Sequence, residues 1–244
     1  LHLTRHRIEG LLYTWENHDA SIFLTGQDMG NRQRIIDAAV ELMNKNGSTV
    51  GTTQLTEHLS ISPGNLYYHF RNREEILSEV LLRLQRDLDE AMALTPEEVL
   101  DARRLAQCFI GGAKVLWNYR FFFSSSLELI MKDEKLSSQY QAFCVRGTGQ
   151  VNEVVSRARQ VSPSEQTLSD DERDMLAENL WVLWTSWPRY TETVIDAHAS
   201  ESEITRSYEH LAFLLKPYLA TDFFESVIKH CEELWNGHIL DENG

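Results

Sequence analysis

The chain has 244 residues, 42% hydrophobic and 25% charged, which suits one or two globular domains whose core needs no staples. Its three cysteines, Cys108, Cys144 and Cys231, are far apart; an odd count without a CxxC spacing excludes a disulfide framework and a metal knuckle, and the expected location is a reducing cytoplasm. The net charge is −14, no apolar run is long enough to span a bilayer, and the apolar stretch at 11 to 15 is cut short by charge at Glu9 and Glu16, unlike a secretory signal.

Residues 1 to 30 form an N-terminal extension. Its apolar positions over 8 to 15 suit either an extra ordered helix or an arm. The first regular helix is expected over 32 to 45, because Ile35, Ala39, Leu42 and Met43 make one apolar stripe. Asn46-Gly47 stops it with a left-handed cap. Thr52 or Thr53 then caps a short helix, with Leu55 and Leu59 four apart on its inner face. Ser60-Ile61-Ser62 is a turn. Ser62 is a good N-cap, and Pro63 fits the first helical position, where its missing N–H costs nothing. Gly64 costs about 1 kcal/mol against Ala inside a helix, which makes sense if something must approach the backbone. Tyr67, Tyr68 and His69 follow as three polar-tipped rings, while Leu66 and Phe70 are core. Two short helices joined by a tight turn form a helix-turn-helix, whose second helix enters a DNA groove.

Asn72 to Glu75 is a capping box that opens a long helix. Ile76, Val80, Leu84 and Leu88 repeat every four residues toward Met92. Thr95-Pro96 marks a new start. Further helices are expected over 97–119, 121–132, 134–160, 169–196, 201–219 and 221–236, with Pro188 kinking or breaking one and Pro217 doing the same near the end of another. No alternating strand pattern occurs, so the expected fold class is all-α.

The candidate DNA-binding residues are Thr52, Thr53, Ser62, Pro63, Gly64, Asn65, Tyr67, Tyr68, His69 and Arg73. Hydroxyls and Arg73 are phosphate-positioning groups; Gly64 and Asn65 lie at the helix end that meets base edges. The net charge opposes a DNA role until it is located. Residues 31 to 80 hold five basic and six acidic residues, so the acidity lies mainly beyond them. A near-neutral reader on an acidic body binds non-cognate DNA weakly.

The residues Asn46-Gly47, Thr52-Thr53, Ser62-Pro63-Gly64-Asn65-Leu66-Tyr67-Tyr68-His69-Phe70 and Arg73-Glu74-Glu75 resemble the TetR family of bacterial transcriptional regulators. Thr56 departs from that pattern where Ala is common, and Ser60 where Gly is common. The resemblance implies a DNA-binding domain over 31 to 78 and a helical ligand-binding and dimerisation domain over 79 to 244. It implies a homodimeric repressor on a palindromic double-stranded DNA operator, released by a small-molecule effector. The interface is expected from helices 169–196 and 201–219, with Trp181, Trp184, Trp187, Leu211, Leu214, Leu215 and Tyr218 supplying apolar surface. The effector is expected to be largely apolar and to sit within 97 to 190 against Trp117, Phe121, Phe122 and Trp184. An alternative is a helical ligand-binding or enzymatic protein keeping the helix-turn-helix as scaffold; an activator of the same fold is another. No catalytic, cofactor or metal motif is recognisable.

Overall fold

The computed structural model describes residues 26 to 195 and 206 to 241, so the expected helix at 8 to 15 lies outside the described residues. The described chain forms α1 (Gly26–Asn46), α2 (Thr52–Leu59), α3 (Pro63–His69), α4 (Arg73–Met92), α5 (Ala102–Asn118), α6 (Arg120–Ile130), α7 (Glu134–Val161), α8 (Asp170–Tyr190), α9 (Ser207–Leu215) and α10 (Thr221–Asp241). A π-helical segment, Thr191–Ile195, extends α8, and a 3₁₀ turn, Lys216–Tyr218, closes α9.

Two compact units result. One comprises the described part of 1 to 83 together with 125 to 146; the other comprises 84 to 124 and the described residues from 147 on. The expected division at 78/79 gave two consecutive stretches, whereas these units interleave in sequence. The first unit is centred on Ile35, Ala39, Met43, Leu55, Leu66, Phe70, Ile76 and Val80, each 3% exposed or less. Phe143 of α7 is buried in the same unit, and Ser78 of α4 donates to Gln139 at 2.6 Å. The second unit packs α10 along α5, with α8 and α9 against α5. Its core includes Leu105, Phe109, Ala113, Val155, Leu180, Trp184, Leu211 and Val227.

Local signals set most helix ends. Gly47 has φ +82°, and its N–H bonds to Met43 O at 2.9 Å, as expected of a left-handed stop. Ser62 Oγ accepts from Asn65 N at 3.2 Å. Asn72 Oδ1 accepts from Glu75 N, and the Glu75 carboxylate accepts from Arg71 N. Three expectations need correction. Neither Thr52 nor Thr53 caps α2; both lie inside it, and the cap position is Gly51, whose N–H donates to Gln54 Oε1 at 2.8 Å. Thr95-Pro96 opens only a single turn, with Glu98 Oε2 accepting from Thr95 N. The next helix begins where Asp101 accepts from Arg104 N at 2.7 Å. Pro188 does not break α8. The helix continues to Tyr190 and passes into the π segment, where Thr191 Oγ1 donates to Trp187 O at 2.9 Å.

Candidate functional site

The helix-turn-helix is short, so its geometry is fixed by few groups. Leu55 and Leu66 are fully buried and turn the opposite faces of α2 and α3 outward. The turn between them runs through Ser60, the only described non-glycine residue with positive φ (φ +54°, ψ +41°). Its N–H bonds to Glu57 O, and Ile61 N bonds to Thr56 O at 3.0 Å. A β-carbon in this region costs about 1–2 kcal/mol. Thr56 departs from the usual Ala at little cost, because its hydroxyl donates to Thr53 O at 2.8 Å.

Ser62, Pro63, Gly64, Asn65 and Tyr68 are exposed together at and along α3, with Tyr68 at 67%. Nothing lies within 4 Å of a β-carbon built on Gly64 except Ser62 Oγ at 3.9 Å, so glycine is not required by packing inside the protein. Tyr67 is half-exposed and its hydroxyl lies 3.4 Å from Thr52 Oγ1, which brings α2 and α3 to one surface. Thr53 is exposed beside it. His69 is partly covered, its ring edge-on to Tyr68 with centroids 5.0 Å apart, and its Nδ1 is buried without a described partner.

Arg73 is placed differently from the other nine. Its guanidinium is half-buried and donates to Val50 O (2.8 Å) and to Ser48 O. Burial lowers its pKa from the usual guanidinium value, and the nearby Glu74 and Glu128 oppose that shift. Arg73 therefore braces the loop that leads into α2. Among the described residues of this unit's N-terminal part, Arg34, Lys45 and Arg71 are the exposed arginine and lysine side chains. The sequence counted them as charge without singling them out.

The second unit has a small, partly open cavity of about 20 Å³. Met92 of α4, Cys108 and Phe109 of α5, and Val151, Val154 and Val155 of α7 form one part of its wall. Leu180 and Trp184 of α8 and Leu211 and Leu215 of α9 form the rest. The wall thus reaches beyond the expected span of 97 to 190. Of the four aromatic residues expected to contact a ligand, Trp184 alone lines this cavity. Phe121 and Phe122 are 3% and 0% exposed and stack edge-to-face within the core. Trp117 lies under Arg120, whose guanidinium carbon is 3.9 Å from the ring centroid. Burial lowers the Arg120 pKa, and Glu192 opposes the shift. Of the other nine wall residues, Leu211 and Leu215 were expected in the dimer interface and Met92 at the end of the α4 repeat; no sequence signal marked any of the nine as facing a ligand.

The three tryptophans of α8 are 4%, 2% and 7% exposed, and Leu211 and Leu215 are 2% and 1%. These five pack inside the protomer and cannot form the expected apolar interface, whereas Leu214 and Tyr218, the other two residues expected there, are partly exposed. The exposed apolar side chains of these helices are Met175, Val182 and Tyr190 on α8 and Phe213 on α9.

Comparison with known proteins covers both units. Residues 35 to 80 match the family described as bacterial regulatory proteins of the tetR family. Residues 83 to 227 match the TetR family described as bacterial transcriptional repressor. The chain is similar to the crystal structure of a TetR-family transcriptional regulator from Marinobacter aquaeolei VT8, with 26% identity, a TM-score of 0.74, and 83% of this chain and 97% of that one covered. GusR of Salmonella enterica shares the fold at 19% identity and a TM-score of 0.56, over 79% and 98% of the two chains. So does a tetR-family regulator from Streptomyces coelicolor, at 14% identity and 0.56, over 83% and 88%. Among the described residues no helix is long and apolar enough to cross a membrane.

Proposed function

The chain belongs to the TetR family of bacterial transcriptional regulators, and from that premise we propose that it is a dimeric repressor released from a palindromic operator when a small apolar molecule fills the cavity of its second unit. The observation that carries this reading is the placement of two residues on one helix. Arg73, the first residue of α4, braces the loop entering the DNA reader; Met92, its last residue, walls the cavity. A 20-residue helix is about 30 Å long. A ligand that displaces Met92 shifts α4, and the spacing of two recognition helices in a dimer must match half-sites about one helical turn apart. Release requires that the ligand bind the DNA-incompetent state more tightly, since equal affinity shifts nothing. Polar contacts along α4 suit such a shift: Asp89 accepts from Gln150 at 2.8 Å, and Asp87 accepts from the buried Tyr119.

On the reader, Tyr68, Thr53 and Ser62 supply phosphate contacts, while Gly64 and Asn65 meet base edges. The dimer forms through the outer faces of α8 and α9, where Met175, Val182 and Phe213 are 60%, 55% and 71% exposed. Met175 and Val182 are two helical turns apart on one face.

Selection of bound duplexes from a random pool tests the reading. The expected product is a two-fold symmetric site. Tyr68→Ala weakens binding to every selected sequence, and Asn65→Ala relaxes preference at particular base pairs. Failure of the folded dimer to enrich any duplex, or unchanged affinity and preference in both variants, overturns the DNA-contact assignment.

A further inference from the structure

We propose that the effector is an uncharged, mainly apolar molecule bearing one hydrogen-bond acceptor, a ketone or ester oxygen, that takes the Trp184 Nε1–H. This inference rests on the cavity being the effector site, and it adds the chemistry that site selects.

Three observations lead to it. First, none of the ten wall side chains carries a charge, and burial pushes the Cys108 thiol up to about 11, so it stays protonated near neutrality. An ionic ligand would lose its hydration and gain no counter-charge. Second, Trp184 is 2% exposed, and its Nε1–H has no acceptor among the described residues. A buried unpaired donor carries a desolvation cost that an acceptor on a ligand removes. Third, the six-membered part of the ring is seated closely on Gly112, where a β-carbon would lie 2.1 Å from Trp184 Cη2.

The unfilled space faces only apolar atoms and holds about one water. The buried indole N–H does not face the empty space, so the proposed contact requires neighbouring side chains to move. Met92 is the adaptable one, being unbranched, and it is also the end of α4. Sulfur is a weak acceptor, so the wall offers a ligand one good donor and no good acceptor. That asymmetry favours a ketone over an alcohol, whose own O–H is left unpaired, and over an alkane analogue, which leaves the indole unpaired.

The test uses the full chain and calorimetric titration with heptan-2-one, heptan-2-ol, 1-chlorohexane, heptanoate and heptylamine. Heptan-2-one is expected to bind roughly tenfold more tightly than 1-chlorohexane, about the value of one hydrogen bond, and heptanoate and heptylamine are expected not to bind. Trp184→Phe removes the donor and is expected to erase the preference for the ketone. Should that variant fail to fold, the ranking on the wild-type protein decides. Val154→Trp fills the cavity and is expected to abolish binding. The proposal is overturned if the ketone has no advantage, if its advantage survives Trp184→Phe, if a charged probe binds best, if no probe binds, or if binding survives Val154→Trp. Operator release is measured separately. A ketone that binds with the expected preference and leaves the operator complex intact sinks the effector reading and leaves the ligand chemistry standing.

Discussion

At the scale of single residues, the turn of the helix-turn-helix carries strain that a glycine would relieve. Ser60 is exposed, and among the described residues its side chain makes no hydrogen bond that would be lost with its β-carbon. Ser60→Gly should therefore stabilise the protein by about 0.5–1 kcal/mol, the relief of a left-handed β-carbon less the entropy of a freer unfolded chain. A lower melting temperature for Ser60→Gly than for the wild type would show that this turn is not strained. Arg73 makes a second prediction. Its two donations to Ser48 O and Val50 O use the planar fork of the guanidinium, which lysine lacks. Arg73→Lys keeps the charge yet should destabilise by ~1–3 kcal/mol in urea titration, leaving two half-buried carbonyls short of a donor. A variant as stable as the wild type, with operator binding weakened instead, would return Arg73 to the phosphate-contacting group.

At the scale of elements, two tryptophans of α8 are seated on glycines of neighbouring helices. A β-carbon on Gly112 would lie 2.1 Å from Trp184 Cη2, and one on Gly147 would lie 2.1 Å from Trp181 Cη2. Gly149, one turn's fraction further along α7, has nothing within 4 Å. Gly147→Ala and Gly112→Ala should each cost ~1–3 kcal/mol as rings and backbone shift, whereas Gly149→Ala should stabilise by up to about 1 kcal/mol through helix propensity. Equal effects at all three positions would show that the ring contacts are not tight. The buried thiols add a pH dependence. Burial raises Cys108 to about 11 and Cys231 to about 12, above the ordinary value. A raised folded pKa gives stability that is complete below the unfolded pKa of about 8.5 and lost as pH rises through the folded value, because the unfolded chain ionises first. The urea midpoint should fall from pH 8.5 toward pH 11, and less steeply in Cys231→Ala than in the wild type.

At the scale of the whole molecule, the proposed assembly uses side chains that the isolated protomer leaves in water. Phe213 and Val182 are 71% and 55% exposed. Phe213→Glu and Val182→Glu each place charge at the centre of the proposed interface. Each should give a monomer by light scattering at about 10 μM with its helical content unchanged, and operator affinity should drop with the lost second half-site. A dimer in both variants would put the interface elsewhere.

The reader was legible in sequence because its signals are local. A capping serine, a proline at the first helical position, and leucines at three- and four-residue spacing act within a turn or two of themselves. The Ser62 cap, the Gly47 stop, and the burial of Leu66 and Phe70 all follow from a dozen residues. Spacing also put Trp181, Trp184 and Trp187, three residues apart, on one apolar stripe. It did not say what buries them, because one apolar face serves equally for a core, a cavity wall or a partner. Only the packing of α5, α7 and α9 around α8 decided that Trp184 lines a cavity and that Phe121 and Phe122 do not. Arg73 followed the same rule. Its motif position suggested a phosphate contact, but carbonyls 23 and 25 residues earlier in the chain drew its guanidinium inward. The sequence by itself determined most of the helices, the stop at Gly47, the caps at Ser62 and Asn72 and the exposed face of α3, but not the cap of α2 or the start of α5. The direction of side chains between elements depends on residues distant in the chain, so only the tertiary structure decided the cavity, the brace and the surface left for a partner.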